Sequence, residues 1–192
     1  MDIFSHGAWA VAGGKLAEKK IGRPLRTWLL ASWGVFPDLF AFAIPFIWVS
    51  VEILSGDVHV SQISKPGDTE PPVFLSSTKI FRLASALYDV SHSLFVFAGA
   101  LFLAYIMLKK IPWEMFGWLL HVLMDVPTHP YNFFPTPLFW PLSEWKFTHG
   151  FSWGQPWFMA FDIAALLFVY GYLWRSKRLF RKKSQDRSGS SG

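Results

Sequence analysis

The chain has no cysteine, and charge is scarce in it. The absence of cysteine excludes disulfides, thiolate nucleophiles and Cys-ligated zinc. Charged residues make up 16% of the 192, against about a quarter in an average soluble domain. The start, MDIFSHGAW, has neither a basic n-region nor a small-residue cleavage site, so no removable signal peptide is expected. No internal repeat is visible. Apolar residues fill the chain instead: 52% are hydrophobic and 19% aromatic. Its length suits one domain with a full core. Long uncharged runs set between clusters of charge read as a multi-pass membrane protein.

The net charge of +5 invites a nucleic-acid reading, but the distribution rejects it. Of 18 Lys and Arg, five lie in 15–26, two are Lys109 and Lys110, and seven lie in 175–187. Each cluster adjoins an apolar run, the positive-inside pattern of cytoplasmic loops. No basic strip alternates with aromatics as a nucleic-acid groove requires. The expected location is the cytoplasmic (inner) membrane, multi-pass, with the C-terminus cytoplasmic.

Residues 3–14 are apolar and small, broken by His6, and end at Lys15, Glu18, Lys19 and Lys20. They are too few to cross a bilayer and read as a helix entering part-way. Gly22-Arg23-Pro24 is a turn. Residues 27–51 are long enough to span and hold one ionisable residue, Asp38, beside Pro37. A helix broken or kinked there would build a site at depth. Residues 55–76, with His59, read as an external loop. A helical pattern starts at Ser77 or Thr78 and runs through Asp89 and His92 to Lys109, with Gly99 a point where it can kink. A return helix covers 113–126. Six prolines and many aromatics in 127–157 predict an irregular loop on the outer membrane face. The last span is 157–174, carrying Asp162. The fold expected is all-α, a multi-pass membrane helical bundle of four to five membrane-embedded helices with an aromatic- and proline-rich external loop. Residues 1–183 form one domain, and 184–192 a disordered tail ending in an appended Ser/Gly linker.

The stretch GWLLHVLMDVPTHP, residues 117–130, sets His121, Asp125 and His129 at intervals of four. On a helix His121 and Asp125 share a face. A carboxylate among Leu and Met is costly unless paired, protonated or metal-bound. His plus Asp one turn apart suits a divalent cation, and the plainer reading is a His–Asp hydrogen bond. Depth discriminates between them. Counted from the cytoplasmic ends of their helices, His6 and His121 lie about 13 Å up, Asp38 about 15 Å, and Asp125 and Asp162 about 19 Å. His92 comes out higher, about 25 Å, unless its helix tilts or kinks. Ligand-type residues from four segments thus share a level. The expected metal ligands are His6, Asp38, His92, His121 and Asp125, holding one or two divalent ions, zinc first and manganese or iron next. Asp89, Glu144 and His129 are the candidate catalytic acid–base groups, with His149 and Asp162 in reserve.

With these residues placed, the sequence resembles the membrane-bound metal-dependent hydrolase family of the YdjM type. The matching pieces are His6, Phe36-Pro37-Asp38, Ser91-His92-Ser93-Leu94, and Gly117-x3-His121-x3-Asp125-x2-Thr128. His121-Val-Leu-Met-Asp125-Val-Pro is also similar to an element of the zinc-dependent phospholipase C and P1 nuclease group, where a metal cluster cleaves phosphoesters. Family members commonly carry His-Arg-Gly where this chain reads Tyr88-Asp89-Val90-Ser91. The phospholipase group's next His comes ten residues after the first, whereas His129 comes after eight. One or two metals are therefore expected in place of three. The resemblance implies a hydrolase. The depth of the site adds a phosphoester of a lipid or other amphiphile as substrate, and membrane lipids as partners. The competing expectation is a non-enzyme, either a metal-stabilised membrane protein or an ion or proton transporter.

Overall fold

A computed structural model describes residues 1–57, 79–130 and 133–189. Asp2 accepts hydrogen bonds from the Phe4 and Ser5 amides, capping α1, Ile3–Ile21. Gly22, with φ of 77°, ends it in the left-handed conformation that glycine adopts without strain. Helix α2 spans Thr27–Ser55 and continues through Pro37 and Pro45. Then follow α3, Lys79–Ser91, and α4, Leu94–Leu108. A 3₁₀ turn at Trp113–Met115 leads into α5, Phe116–Thr128. Helix α6, Pro156–Gly189, runs past 183 and so includes the first residues of the expected tail. Among the described residues there is no strand, and the all-helical expectation holds. His59 and most of the 55–76 loop lie outside the described residues.

Among the described residues, two helices, α2 and Pro156–Ser176 of α6, are long and apolar enough to cross a membrane. The count becomes three if α3 and α4, bent by 60° at their break, form one span. The four to five embedded helices expected are not confirmed by this count. The thirteen residues of α5 rise only about 20 Å, short of a bilayer core. The outward surfaces fit lipid. Ile44, Phe46, Ile47 and Val51 on α2, and Phe161, Leu167 and Phe168 on α6, are all more than half exposed. Exposed apolar side chains in such number mark a membrane-facing or interaction surface.

The break between α3 and α4 corrects the expected single helix with a kink at Gly99, since Gly99 sits inside an unbroken α4. The cause is local. Ser93 takes an extended conformation and its Oγ accepts from the Phe95 and Val96 amides, starting a new helix. The Ser93 hydroxyl also donates to the Trp140 carbonyl, and the Leu94 amide bonds the Leu138 carbonyl at 3.0 Å. The bend therefore carries the loop that follows α5. Ser93→Ala is expected to cost about 1 kcal/mol, read as a melting temperature lower by about 2–4 °C.

Helices α1, α2 and α5 approach closely through glycine. A Cβ on Gly34 would lie 2.5 Å from Ala10 Cβ and 2.8 Å from the His6 carbonyl oxygen. One on Gly117 would lie 2.8 Å from the Leu30 carbonyl oxygen. Small residues at such crossings let backbones touch, as in membrane helix packing. On one side of α5 the core is Phe97, Met115, Trp118 and Val122, with Trp33 and Phe36 against it. At the basic end, Glu18 Oε1 accepts from Lys15 Nζ and the Leu25 amide at 2.5 and 2.8 Å. Glu114, buried, takes Arg23 and the Arg26 amide at 3.4 Å. The turn between α1 and α2 is thus fastened to the start of α5.

Candidate metal centre

Asp125 lies at the centre of the bundle and is fully buried. Its Oδ2 is 3.1 Å from His121 Nε2, one helical turn back on α5. It is 3.3 Å from His92 Nε2, delivered by the break after α3. The two Nε2 atoms are 3.1 Å apart. Asp38, on α2, places Oδ1 at 3.6 Å from His121 Nε2 and 3.8 Å from His92 Nε2. Four donor atoms, one each from Asp38, His92, His121 and Asp125, lie within 4.8 Å of one another and form a group able to hold a metal ion.

The orientation of the rings matters as much as their proximity. His121 Nδ1 donates to the Gly34 carbonyl oxygen at 2.7 Å. A carbonyl only accepts, so Nδ1 carries a proton, and in the neutral ring Nε2 keeps its lone pair. His92 Nδ1 has the Tyr88 carbonyl oxygen at 3.2 Å and the Ser91 hydroxyl at 2.9 Å. Holding Nδ1 on a carbonyl is how metal-binding histidines are commonly fixed.

Two observations test whether these residues fit a metal. First, donors about 2.05 Å from a common tetrahedral centre are about 3.3 Å apart, and the distances above bracket that value. Second, Asp125 Oδ2 is buried and makes no hydrogen bond although two imidazoles stand beside it. Lone pairs of two imidazoles and a carboxylate facing one another repel unless a cation lies between them. A group of two imidazoles and two carboxylates suits zinc, manganese or iron.

The other oxygen of Asp125 has a separate set of neighbours. Oδ1 is 3.0 Å from His6 Nε2, though not in hydrogen-bond geometry, and 3.8 Å from His129 Nε2. The Met1 ammonium is 2.7 Å from it, with Thr128 Oγ1 and His129 Nε2 at 3.4 and 3.3 Å from the nitrogen. The His6 ring stacks on His121 with centroids 3.6 Å apart. His129 Nδ1 bonds the Phe134 carbonyl oxygen at 2.9 Å and lies 2.8 Å from the Tyr88 hydroxyl. Phe134 has a φ of 48°, a region that bulky residues rarely occupy, and its carbonyl is the one His129 needs.

Four of the five expected ligands, Asp38, His92, His121 and Asp125, form the donor group, while His6 stands outside it beside Asp125 Oδ1, as does His129. The other expected acid–base residues lie apart from it. Asp89 is half-buried on α3 and interacts electrostatically with Lys146 and Glu144. Glu144 is exposed on the loop, as is His149 beside Thr148. Tyr88 and His92 share a face at i, i+4, whereas Asp89 sits about 100° round from Tyr88 and about 60° from His92. Asp162 is buried against α1, apart from the donor group. Sequence reasoning missed Tyr88, whose ring stacks on His92 at 3.7 Å. Its i, i+4 spacing to His92 was the available signal. It could not reveal the Gly34 and Phe134 carbonyls, because backbone acceptors carry no residue signature.

No protein-family model, curated protein or solved structure matches this chain. Fold and site define an all-helical chain with two or three potential membrane spans around a buried His/Asp group able to hold a metal ion.

Proposed function

We propose that the chain is an integral membrane metal-dependent hydrolase of the YdjM type, cleaving a phosphoester of a lipid or other amphiphile. One observation carries the reading: four donor atoms from three separate segments, three of them on buried side chains, lie within 4.8 Å of one another. Asp38, His92, His121 and Asp125 hold the ion, zinc first and manganese or iron next. Such an ion polarises a phosphoryl oxygen and lowers the pKa of water toward neutrality. Asp125 uses Oδ2 toward the ion and keeps Oδ1 toward His6 and His129. His129, its Nδ1 fixed by Phe134, offers Nε2 to a proton in transit: water attacks phosphorus, the ester P–O bond breaks, and the leaving oxygen is protonated. In the two-ion form of the same reading, His6 and His129 would hold a second cation beside Asp125.

Location supports the substrate class. The centre lies between potential spans, and the aromatic loop packs over it: the Phe151 and Trp153 amides bond the Pro127 and Thr128 carbonyls at 3.0 Å. The basic clusters at 15–26, 109–110 and 175–187 support a reading in which the C-terminus is cytoplasmic, the membrane is the inner one and the site lies in its outer half. The test is phosphate release from phospholipids and polyprenyl phosphates by detergent-solubilised protein. Activity is expected to vanish with a chelator, return with zinc or manganese, and fall more than about 100-fold in Asp38→Asn, beyond what residues outside the ligand set usually cost. A metal-loaded protein with no turnover of any phosphoester would favour a metal-stabilised membrane protein instead.

A further inference from the structure

Asp162 is the one acidic residue in the apolar run of α6, and it is buried. Both of its oxygens are occupied by α1. The Ser5 hydroxyl donates to Oδ2 at 2.6 Å and the Trp9 indole donates to Oδ1 at 2.7 Å. Ser5 and Trp9 are one turn apart and share a helical face. Lower on α6, the Tyr170 hydroxyl donates to the Ala8 carbonyl at 2.9 Å. A carboxylate in a spanning helix is costly, and here it is met by neutral donors from a single partner helix.

The face of α1 that meets α2 and α5 is made of small residues, Gly7, Ala10, Gly13 and Gly14. Such a face permits close approach but offers few interlocking side chains to fix how far the helix slides or turns. His6 follows Ser5 directly and must meet Asp125 Oδ1 and the His121 ring. We infer that Asp162 is a positioning residue: through Ser5 and Trp9 it sets the depth and rotation of α1, and so holds His6 against Asp125. This rests on the metal-centre reading only for its consequence on metal affinity. The placement of His6 is testable without metal.

The experiment compares wild type, Asp162→Ala, Asp162→Asn and Trp9→Phe in detergent, using diethyl pyrocarbonate modification of histidines read by peptide mass spectrometry. In the wild type both His6 and His121 are expected to be protected. In Asp162→Ala, His6 is expected to react while His121 stays protected. Asn can still accept from Trp9 and pair with Ser5, so Asp162→Asn is expected to keep His6 protected. Trp9→Phe is expected to expose it in part. Cobalt(II) affinity gives the second readout: His6→Ala and Asp162→Ala each lower it by about 10–100-fold, and the double variant is no worse than either alone. His6 protected in Asp162→Ala, both histidines exposed together, Asp162→Asn behaving as Asp162→Ala, or additive losses would each overturn the inference. A wild type that binds no metal would refute the metal centre and leave the protection result to decide on Asp162.

Discussion

Asp125→Asn is expected to empty the metal centre while the bundle stays folded. Asparagine keeps the size of the side chain and one acceptor oxygen, but removes the charge that four imidazoles surround. Its amide would also turn N–H donors toward Nε2 lone pairs or toward a cation, neither of which a ligand can do. Loss of a residue that merely supports a ligand costs about 10–100-fold in metal affinity. Loss of the carboxylate at the centre should exceed that, leaving no metal after purification. Cobalt(II) titration, with size-exclusion chromatography and circular dichroism as controls for folding, measures it. Alanine is the harsher variant, because it also opens a cavity in the packed interior. A folded Asp125→Asn protein with wild-type metal content would contradict the account.

The second large effect is steric. Gly34→Ala places a methyl 2.5 Å from Ala10 Cβ and 2.8 Å from a backbone oxygen. Gly117→Ala meets the Leu30 carbonyl oxygen at 2.8 Å and the Gly34 nitrogen at 3.1 Å. Backbone atoms cannot rotate aside, so the helices must part. Overpacking of this kind costs about 1–3 kcal/mol, and each kcal/mol lowers the melting temperature of a chain this size by about 2–4 °C. The functional loss should be larger than the stability loss, because Gly34 also supplies the carbonyl that orients His121. Each variant is expected to melt several degrees lower and to bind metal more weakly. Gly99→Ala meets open space and is the control expected to change neither.

How much of this could be read from the chain differs between site and fold. The i, i+4 pair His121 and Asp125 declared itself, because a carboxylate among leucines has few stable roles. The depth argument brought in Asp38 and His6 by counting rise along helices. His92 resisted the same arithmetic, since a straight helix put it too high. The answer was the Ser93 cap, a local backbone event that apolar periodicity does not register. Proline signals misled twice. Pro37 and Pro45 sit inside a continuous α2, and Pro127 inside the last turn of α5, where tertiary packing carries helices through residues that lose only their own donor. Asp89 and Glu144 were chosen for acid chemistry alone. Only the three-dimensional arrangement shows Asp89 beside Lys146 and Glu144, and shows His129 with Nε2 toward Asp125.

The central claim is that the buried His/Asp group holds a divalent ion, and the metal content of the wild-type chain tests it most directly. The protein would be purified in detergent without added metal, quantified by inductively coupled plasma mass spectrometry, and examined by X-ray absorption at the edge of whatever metal is found. One or two equivalents of zinc, manganese or iron, with a nitrogen and oxygen shell (near about 2.0–2.2 Å for zinc) and outer-shell scattering from imidazole, is the expected result. No metal in the folded protein, even after reconstitution with all three ions, would contradict the account. The group would then be a hydrogen-bonded network, with a proton between His92 and His121 where the cation was placed.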